Sequence, residues 1–182
     1  WAGTSTLDKV SVTTGDGTVS MSIASVFVDY WRLRTVAHEL GHGFGNHHAG
    51  FYNCGSVPIA ESGCSWEEYG DWYSVMGNDG TTNAGHFNAF HKEYSGWMTG
   101  KIQPVTTNGT YTLAPIETAA GVIQAFKIQR ALTDYLFIEY RQPIGYDVGI
   151  DTGPQGSRDV FNGALLHVQG LGTTQSGLID AT

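Results

Sequence analysis

Three histidines, one glutamate and one glycine in a short segment have the spacing of a metal-binding site. His38 and His42 are four positions apart, which places them about 40° apart around an α-helix, so both imidazoles can reach one ion. Glu39 lies beside them, where its carboxylate can contact a metal-bound water without taking a coordination position. Gly45 favours a sharp turn out of the helix, which allows His48 to provide a third nitrogen ligand.

This donor set predicts one catalytic zinc ion. Three neutral imidazoles and a water molecule leave a zinc site open, whereas a structural zinc ion needs a fourth protein ligand. Zinc in an open site lowers the pKa of its bound water to about 7, and Glu39 is then the expected general base. The spacing constrains five positions at once, so it is far more specific than His-Glu-x-x-His alone.

Two other residues are alternative third ligands. His47 neighbours His48 and could bind in another register, and Asp71 could provide an acidic ligand instead. The spacing from Gly45 favours His48. His86 and His91 are interpreted as surface or packing residues, and His167, in a strand-like run, as a satisfied core histidine.

Calcium is a weaker possibility in a glycine-rich segment near the end of the chain. Asp147, Asp151 and Asp159 could bind it, but their spacing matches no EF-hand loop. A solvated loop is the favoured interpretation.

For both to reach one ion, His38 and His42 must lie on one helix. Apolar residues at helical spacing predict this helix from Tyr30 to Gly43, with Asp29 as its cap. Before it, a turn at Gly15–Gly17 precedes a predicted strand that buries one face, through Val19, Met21 and Ile23.

Residues 46–83 are rich in glycine, asparagine, serine and aspartate, which predicts a long functional loop. Cys54 and Cys64 lie in it, and a local disulfide is the expected pairing; the alternative is two free thiols in a reducing compartment. A second helix is predicted from Ala84 to Tyr94.

The chain after Gly100 consists of short β-rich runs separated by turn signals, which predicts an antiparallel sheet or sandwich. The runs are Ile102–Val105, Thr110–Leu113, Val122–Ile128, Tyr135–Tyr140 and Ala164–Val168. Asn108-Gly109 has the composition of a two-residue hairpin turn. The fold class is therefore α+β, with a catalytic domain over residues 1–100 and a β-rich module over residues 101–182.

The charge balance excludes some classes of partner. The chain has 9 Lys and Arg against 17 Asp and Glu, a net charge of −8, which disfavours nucleic acid and anionic lipid. No apolar stretch approaches the roughly 18 to 20 residues of a membrane span. The 25 glycines and few lysines fit a secreted protein, and we expect a monomer. The first residue is Trp1 rather than Met, so we expect a processed or excised piece of a precursor.

The histidine segment, together with Tyr73-Ser74-Val75-Met76-Gly77, resembles the metzincin clan of zinc endopeptidases. The clan signature pairs this zinc motif with a downstream Met-turn. The resemblance implies that Met76 forms a hydrophobic floor under the zinc ligands without binding the metal. It also implies a zinc peptidase core with a long active-site helix and Met-turn, followed by the antiparallel β-rich segment.

Within the clan, the chain is most similar to the gametolysin-like metallopeptidases. The similarity covers roughly residues 30–168 and rests on Ala49, Glu68–Asp71, Val75–Gly77, His86–Ala89 and Gly96-Trp97. Phe137–Arg141 and Asn162–Leu165 also resemble the β segments that follow the catalytic domain in that family. Some metzincins have a tyrosine ligand two residues after the methionine, whereas this chain has Asn78 there, so no fifth ligand is expected. Only 37 residues precede His38, which is short for the sheet that normally comes before the active-site helix and pairs with substrate.

The resemblance implies a secreted zinc-dependent endopeptidase that hydrolyses internal peptide bonds of extracellular proteins, with a protein or peptide as its substrate. The alternative is an inactive or fragmentary zinc-binding module that binds protein or glycan. The short upstream segment motivates this alternative, as does an aromatic set that we expect to be exposed: Trp66, Tyr69, Trp72 and Tyr73.

Overall fold

A computed structural model describes most of the chain. The described residues are 2–60, 63–77, 84–118, 121–150, 152–153, 156–157, 159–169 and 175–179. Over these ranges there are two α-helices, α1 (Leu33–Gly43) and α2 (Ala89–Tyr94), and two short 3₁₀ helices, Val28–Tyr30 and Gly145–Asp147. Neither α-helix has the length and apolar character needed to cross a membrane.

The segment before α1 forms two small antiparallel ribbons. Its strands are β1 (Gly3–Ser5), β2 (Val10–Thr14), β3 (Gly17–Met21) and β4 (Ala24–Val26). The β2–β3 hairpin turns at the predicted glycine-rich turn, and β1 pairs with β4. The apolar residues predicted to face a core here are exposed instead, with 46% of Val19 and 43% of Met21 accessible.

Most of the strands after α1 form a seven-stranded mixed sheet. The further strands are β5 (Ala49–Asn53), β6 (Ser65–Glu67), β7 (Ile102–Pro104), β8 (Ala125–Ala131), β9 (Asp134–Tyr140), β10 (Thr152–Gly153), β11 (Gly156–Ser157), β12 (Ala164–Gln169) and β13 (Ser176–Ile179). The order across the sheet is β6-β5-β13-β12-β9-β8-β7, and β10 pairs with β11 separately. Within the large sheet, β13–β5 and β7–β8 are parallel and the other neighbours are antiparallel.

The α+β class and the antiparallel β-rich part are confirmed, but several details of the prediction are wrong. Residues 46–83 contain β5 and β6, which join the large sheet rather than forming only a loop. The run Thr110–Leu113 is not a strand, so Asn108-Gly109 does not connect a hairpin. The sheet has strands from both sides of residue 100, and the division into two domains at that point stays a prediction.

The helices are also shorter than predicted. α1 has 11 residues and begins at Leu33 after Arg32, so Asp29 does not cap it, and a long active-site helix is not shown. α2 begins at Ala89, because the Asn88 side chain accepts a hydrogen bond from the His91 backbone N–H as an N-cap. The predicted disulfide between Cys54 and Cys64 is present.

Two buried clusters hold α2 and the histidine segment in place. Under α2, Phe90 packs against Phe137 of β9, with ring centroids 5.5 Å apart, in a cluster that includes Ala89 and Met98. A second cluster of fully buried side chains joins the start of β5 to the turn before residue 78, through Ala49, Val75 and Met76. The second cluster lies directly beside the predicted metal ligands.

Candidate metal centre

Three histidines from two segments meet at one point. α1 presents His38 and His42, and the chain leaves the helix at Gly45, whose φ of +84° is in the region expected for that glycine. His48 then lies just before β5. One ring nitrogen from each of the three histidines lies within 4.8 Å of the others, and the ring centroids are 4.8 to 5.3 Å apart. These three residues could hold a metal ion.

Each of the three rings has one nitrogen committed to an oxygen acceptor. His38 Nδ1 is 2.9 Å from the Val75 carbonyl oxygen, and His42 Nδ1 is 2.7 Å from that of Asn46. His48 Nδ1 is 2.6 Å from Glu68 Oε1. Because carbonyl and carboxylate oxygens only accept, these partners assign the proton to Nδ1 in each neutral ring and leave the Nε2 lone pair for a metal.

Burial favours the neutral form of the His38 and His42 imidazoles. Desolvation, aided by the neighbouring histidines, lowers the pKa of His38 to about 3. Burial likewise lowers the pKa of His42 below its ordinary value. Neutral rings at physiological pH are the form that binds metal, so the donor set fits a divalent ion with nitrogen preference.

A tight turn over Ser74–Gly77 packs against α1. The Gly77 backbone N–H donates to the Ser74 carbonyl oxygen at 2.9 Å, which places Val75 and Met76 at the centre of the turn. Met76 is fully buried, and a Cβ atom on Gly41 of α1 would overlap its sulfur. This close approach requires glycine at position 41. The functional role of Met76 as a floor under a metal stays a prediction.

Arg34 fastens this turn to α1. The side chain is buried, and it donates to the carbonyl oxygens of Ala84 at 3.0 Å, Ser74 at 2.8 Å and Gly77 at 2.7 Å. Sequence reasoning missed this role. The signal was present, because Arg34 lies one helical turn before His38 and on the same face.

The turn is supported from the other side by a buried ionic group. The Val75 N–H donates to the His86 carbonyl oxygen at 3.1 Å, and the His86 N–H donates to Asp147 Oδ1 at 2.7 Å. Asp147 Oδ2 in turn accepts from Arg141 Nη1 at 2.8 Å, and Arg141 also pairs with Glu139. A series of hydrogen bonds therefore joins the sheet to the residue that orients His38.

Glu39 directly follows His38 in α1, and its side chain is shielded from water. It is 6% exposed, and burial raises the pKa of its carboxyl above the ordinary value. β1 lies against it, since a Cβ atom at Gly3 would be 2.6 Å from Glu39 Oε1. A carboxyl whose pKa is raised holds a proton more readily than an ordinary glutamate does.

The alternative ligands lie elsewhere. His47 is half-buried and is not among the three grouped histidines. Asp71 is fully buried and pairs with His167, with 3.0 Å between Asp71 Oδ2 and His167 Nε2. His167 is therefore a core histidine, as expected, but its Nδ1 has no hydrogen-bond partner among the described residues. His91 is also fully buried, and His86 is half-buried.

The structure describes two of the three aspartates considered for calcium, and it does not describe the position of a fifth zinc ligand. Asp147 is not in a solvated loop, because it is fully buried against Arg141. Asp159 is exposed and accepts a hydrogen bond from Asn162. Asp151 and Asn78 lie outside the described residues.

The aromatic set is not one exposed surface. Tyr73 is buried at 8% exposure, whereas Trp66 and Trp72 are half-buried. Tyr69 is 38% exposed, and its ring centroid lies 4.0 Å from that of His48. The contacts of Glu68 and Tyr69 with His48 could not be predicted from the sequence around the histidine. Both residues reach His48 because the chain returns along β6, which pairs with β5.

Comparisons of this chain with protein-family models, with curated proteins and with solved structures found no significant match.

Proposed function

We propose that this chain is a secreted zinc-dependent endopeptidase of the metzincin type. The observation that supports it best is the arrangement of His38, His42 and His48, each with Nδ1 directed at an oxygen acceptor, beside the buried carboxyl of Glu39. Three protein nitrogens and a nearby carboxyl with no metal-ligand role suit a catalytic site better than a structural one.

Zinc is the proposed ion because of the donor set. Neutral imidazoles suit several transition metals, and a three-histidine site with an open position is typical of catalytic zinc. Zinc bound there would supply Lewis acidity, which activates water at neutral pH and polarises a peptide carbonyl group.

The residues of the chain then have separate tasks. Glu39 accepts the proton of the attacking water, and its raised pKa makes the protonated form accessible for the next step. It returns that proton to the leaving amine, which avoids expulsion of an amide anion. Val75, Asn46 and Glu68 hold the three rings in orientation through their oxygens.

The disulfide supports the proposed location. Cys54 and Cys64 are bonded, and disulfides persist in oxidising compartments such as the extracellular space. A secreted enzyme would meet protein substrates outside the cell.

The test is cleavage of a denatured protein by the zinc-loaded chain. We expect Glu39→Ala to retain zinc and lose nearly all turnover, and we expect a chelator to abolish activity. His42→Ala should lose zinc, measured as metal per chain by atomic emission, whereas the matched control His47→Ala should retain it. Wild-type activity in Glu39→Ala would refute the assignment of the base.

A second candidate is a zinc-retaining module that binds protein or glycan. It is favoured by a cavity of about 500 Å³ beside the sheet, lined by Tyr52 and Trp66 together with Arg130 and Asp134. Aromatic faces and paired charged groups can bind saccharides or peptides. This candidate gains support if the chain binds one zinc ion, cleaves no protein, and Trp66→Ala abolishes retention on an immobilised glycoprotein.

A further inference from the structure

Tyr69 has an unusual backbone conformation next to the histidine cluster. Its φ is +64°, in the left-handed region that residues with a side chain seldom adopt. The turn is held by its neighbours, since the Gly70 N–H donates to the Glu67 carbonyl oxygen at 3.1 Å. Strain of this kind persists where the surrounding structure fixes it, and it is frequent at functional sites.

The strained backbone directs the Tyr69 ring over the candidate ligands. Its centroid is 4.0 Å from that of His48 and 6.1 Å from that of His38, and the latter pair is stacked with an interplanar angle of 24°. The Tyr69 ring thus lies against two of the three candidate metal ligands.

Core packing does not account for this position. Tyr69 is 38% exposed and belongs to none of the buried hydrophobic clusters of the described residues. Over the same part of the chain, its hydroxyl has no hydrogen-bond partner. A phenol is a hydrogen-bond donor at neutral pH, so this donor is available to a bound molecule.

We propose that Tyr69 is a catalytic residue whose hydroxyl donates a hydrogen bond to the carbonyl oxygen of the scissile peptide bond as negative charge develops there. The phenol keeps its proton throughout, so no bond to Tyr69 forms or breaks. The inference rests on the proposed peptidase function, because it assigns a further role in the same reaction. Removal of one such donor lowers kcat by about 10²- to 10³-fold in enzymes that stabilise an oxyanion in this way.

The decisive variant is Tyr69→Phe, which keeps the ring on His48 and removes only the hydroxyl. We expect kcat to fall about 100-fold, with KM and zinc content unchanged. The control is Tyr146→Phe, because Tyr146 is exposed and its ring contacts His86 rather than the three ligands. This control should have wild-type kinetics.

A binding measurement gives a second readout that does not depend on turnover. The probe is a phosphinic peptide built on the cleavage sequence mapped with the wild-type chain, because its tetrahedral, anionic phosphorus centre resembles the reacting carbonyl. Tyr69→Phe should weaken its binding at least tenfold by calorimetry. The uncleaved substrate peptide, measured in a Glu39→Gln background, should bind equally with and without Tyr69→Phe.

The outcomes separate the two proposals. Wild-type kcat and wild-type phosphinic peptide affinity in Tyr69→Phe would overturn the role of Tyr69 while leaving the peptidase assignment intact. Loss of zinc from Tyr69→Phe would also overturn it, because the residue would then serve the metal site rather than the oxyanion. Absence of cleavage by the zinc-loaded wild-type chain would overturn the peptidase function itself, and the role of Tyr69 with it.

Discussion

Arg34 Nη2 lies 2.7 Å from the carbonyl oxygen of Gly77, and this contact joins the first turn of α1 to the turn that contains Met76. The same guanidinium reaches Ser74 and Ala84, so one buried side chain satisfies three carbonyl oxygens. Arg34 therefore holds the helix that carries His38 against the turn that orients it.

Replacement of Arg34 by lysine should weaken both the fold and the metal site. Lysine has no planar fork, so it cannot donate to three carbonyl oxygens in this geometry, and loss of charged hydrogen bonds costs about 1.5 to 3 kcal/mol each. We expect Arg34→Lys to lower the free energy of unfolding of the metal-free chain by about 3 kcal/mol, measured by urea denaturation. Arg32→Lys is the exposed control, and equal midpoints for the two variants would contradict the prediction.

Glu68 should influence metal affinity without much effect on stability. Its Oε1 is 2.6 Å from His48 Nδ1, but 56% of its side chain is exposed. Loss of such a partner typically lowers metal affinity 10- to 100-fold. Glu68→Ala should show this loss in a chelator competition assay. The neighbouring exposed residue provides the control, and an equal loss in Glu67→Ala would show that local charge rather than orientation of His48 is responsible.

Gly41 should not tolerate even a methyl group. A Cβ atom there would overlap the Met76 sulfur and contact Phe87, and overpacking costs about 1 to 3 kcal/mol, which exceeds the gain of at most about 1 kcal/mol in helix propensity. We expect Gly41→Ala to lower the free energy of unfolding. In a double-mutant cycle, Met76→Ala should relieve the overlap, so the combined loss should be smaller than the sum of the single losses. Strict additivity would argue against this contact.

The buried pair of Asp71 and His167 should give a stability contribution limited to a pH window. Burial opposes both charges, but the neighbouring charges and hydrogen bonds together outweigh it. His167, with Arg141 and the Tyr73 N–H, lowers the pKa of Asp71, and Asp71, with Glu139, raises the pKa of His167. The Asp71 contribution is present above its unfolded pKa near 4 and is lost as pH falls through its folded value. The His167 contribution is present below its unfolded pKa near 6.5 and is lost as pH rises through its folded value.

The expected result is a maximum in the stability difference between the wild-type chain and His167→Gln at about pH 4 to 6.5. The difference should be about 3 kcal/mol there, since a buried pair is broken, and it should decrease on both sides. Urea denaturation of the metal-free chain from pH 3 to 9 measures it, and a difference independent of pH would show that His167 is neutral.

The local part of the metal centre could be predicted from the sequence because it depends on short-range geometry. Helical periodicity places His38 and His42 on one face, and glycine permits the positive φ at residue 45. The disulfide of Cys54 and Cys64 encloses a short loop, so it was also predictable.

Tertiary pairing decided the rest. β5 forms inside the expected loop because Gly50 and its neighbours pair in parallel with β13, far along the chain, and no local pattern encodes that partner. The return of the chain along β6 likewise brings Glu68 and Tyr69 to His48. The sequence by itself determined which atoms could bind a metal, through spacing along one helix and one turn. Only the tertiary structure decided which oxygens orient those atoms and which side chains surround them, because these contacts join residues whose separation along the chain carries no periodic signal.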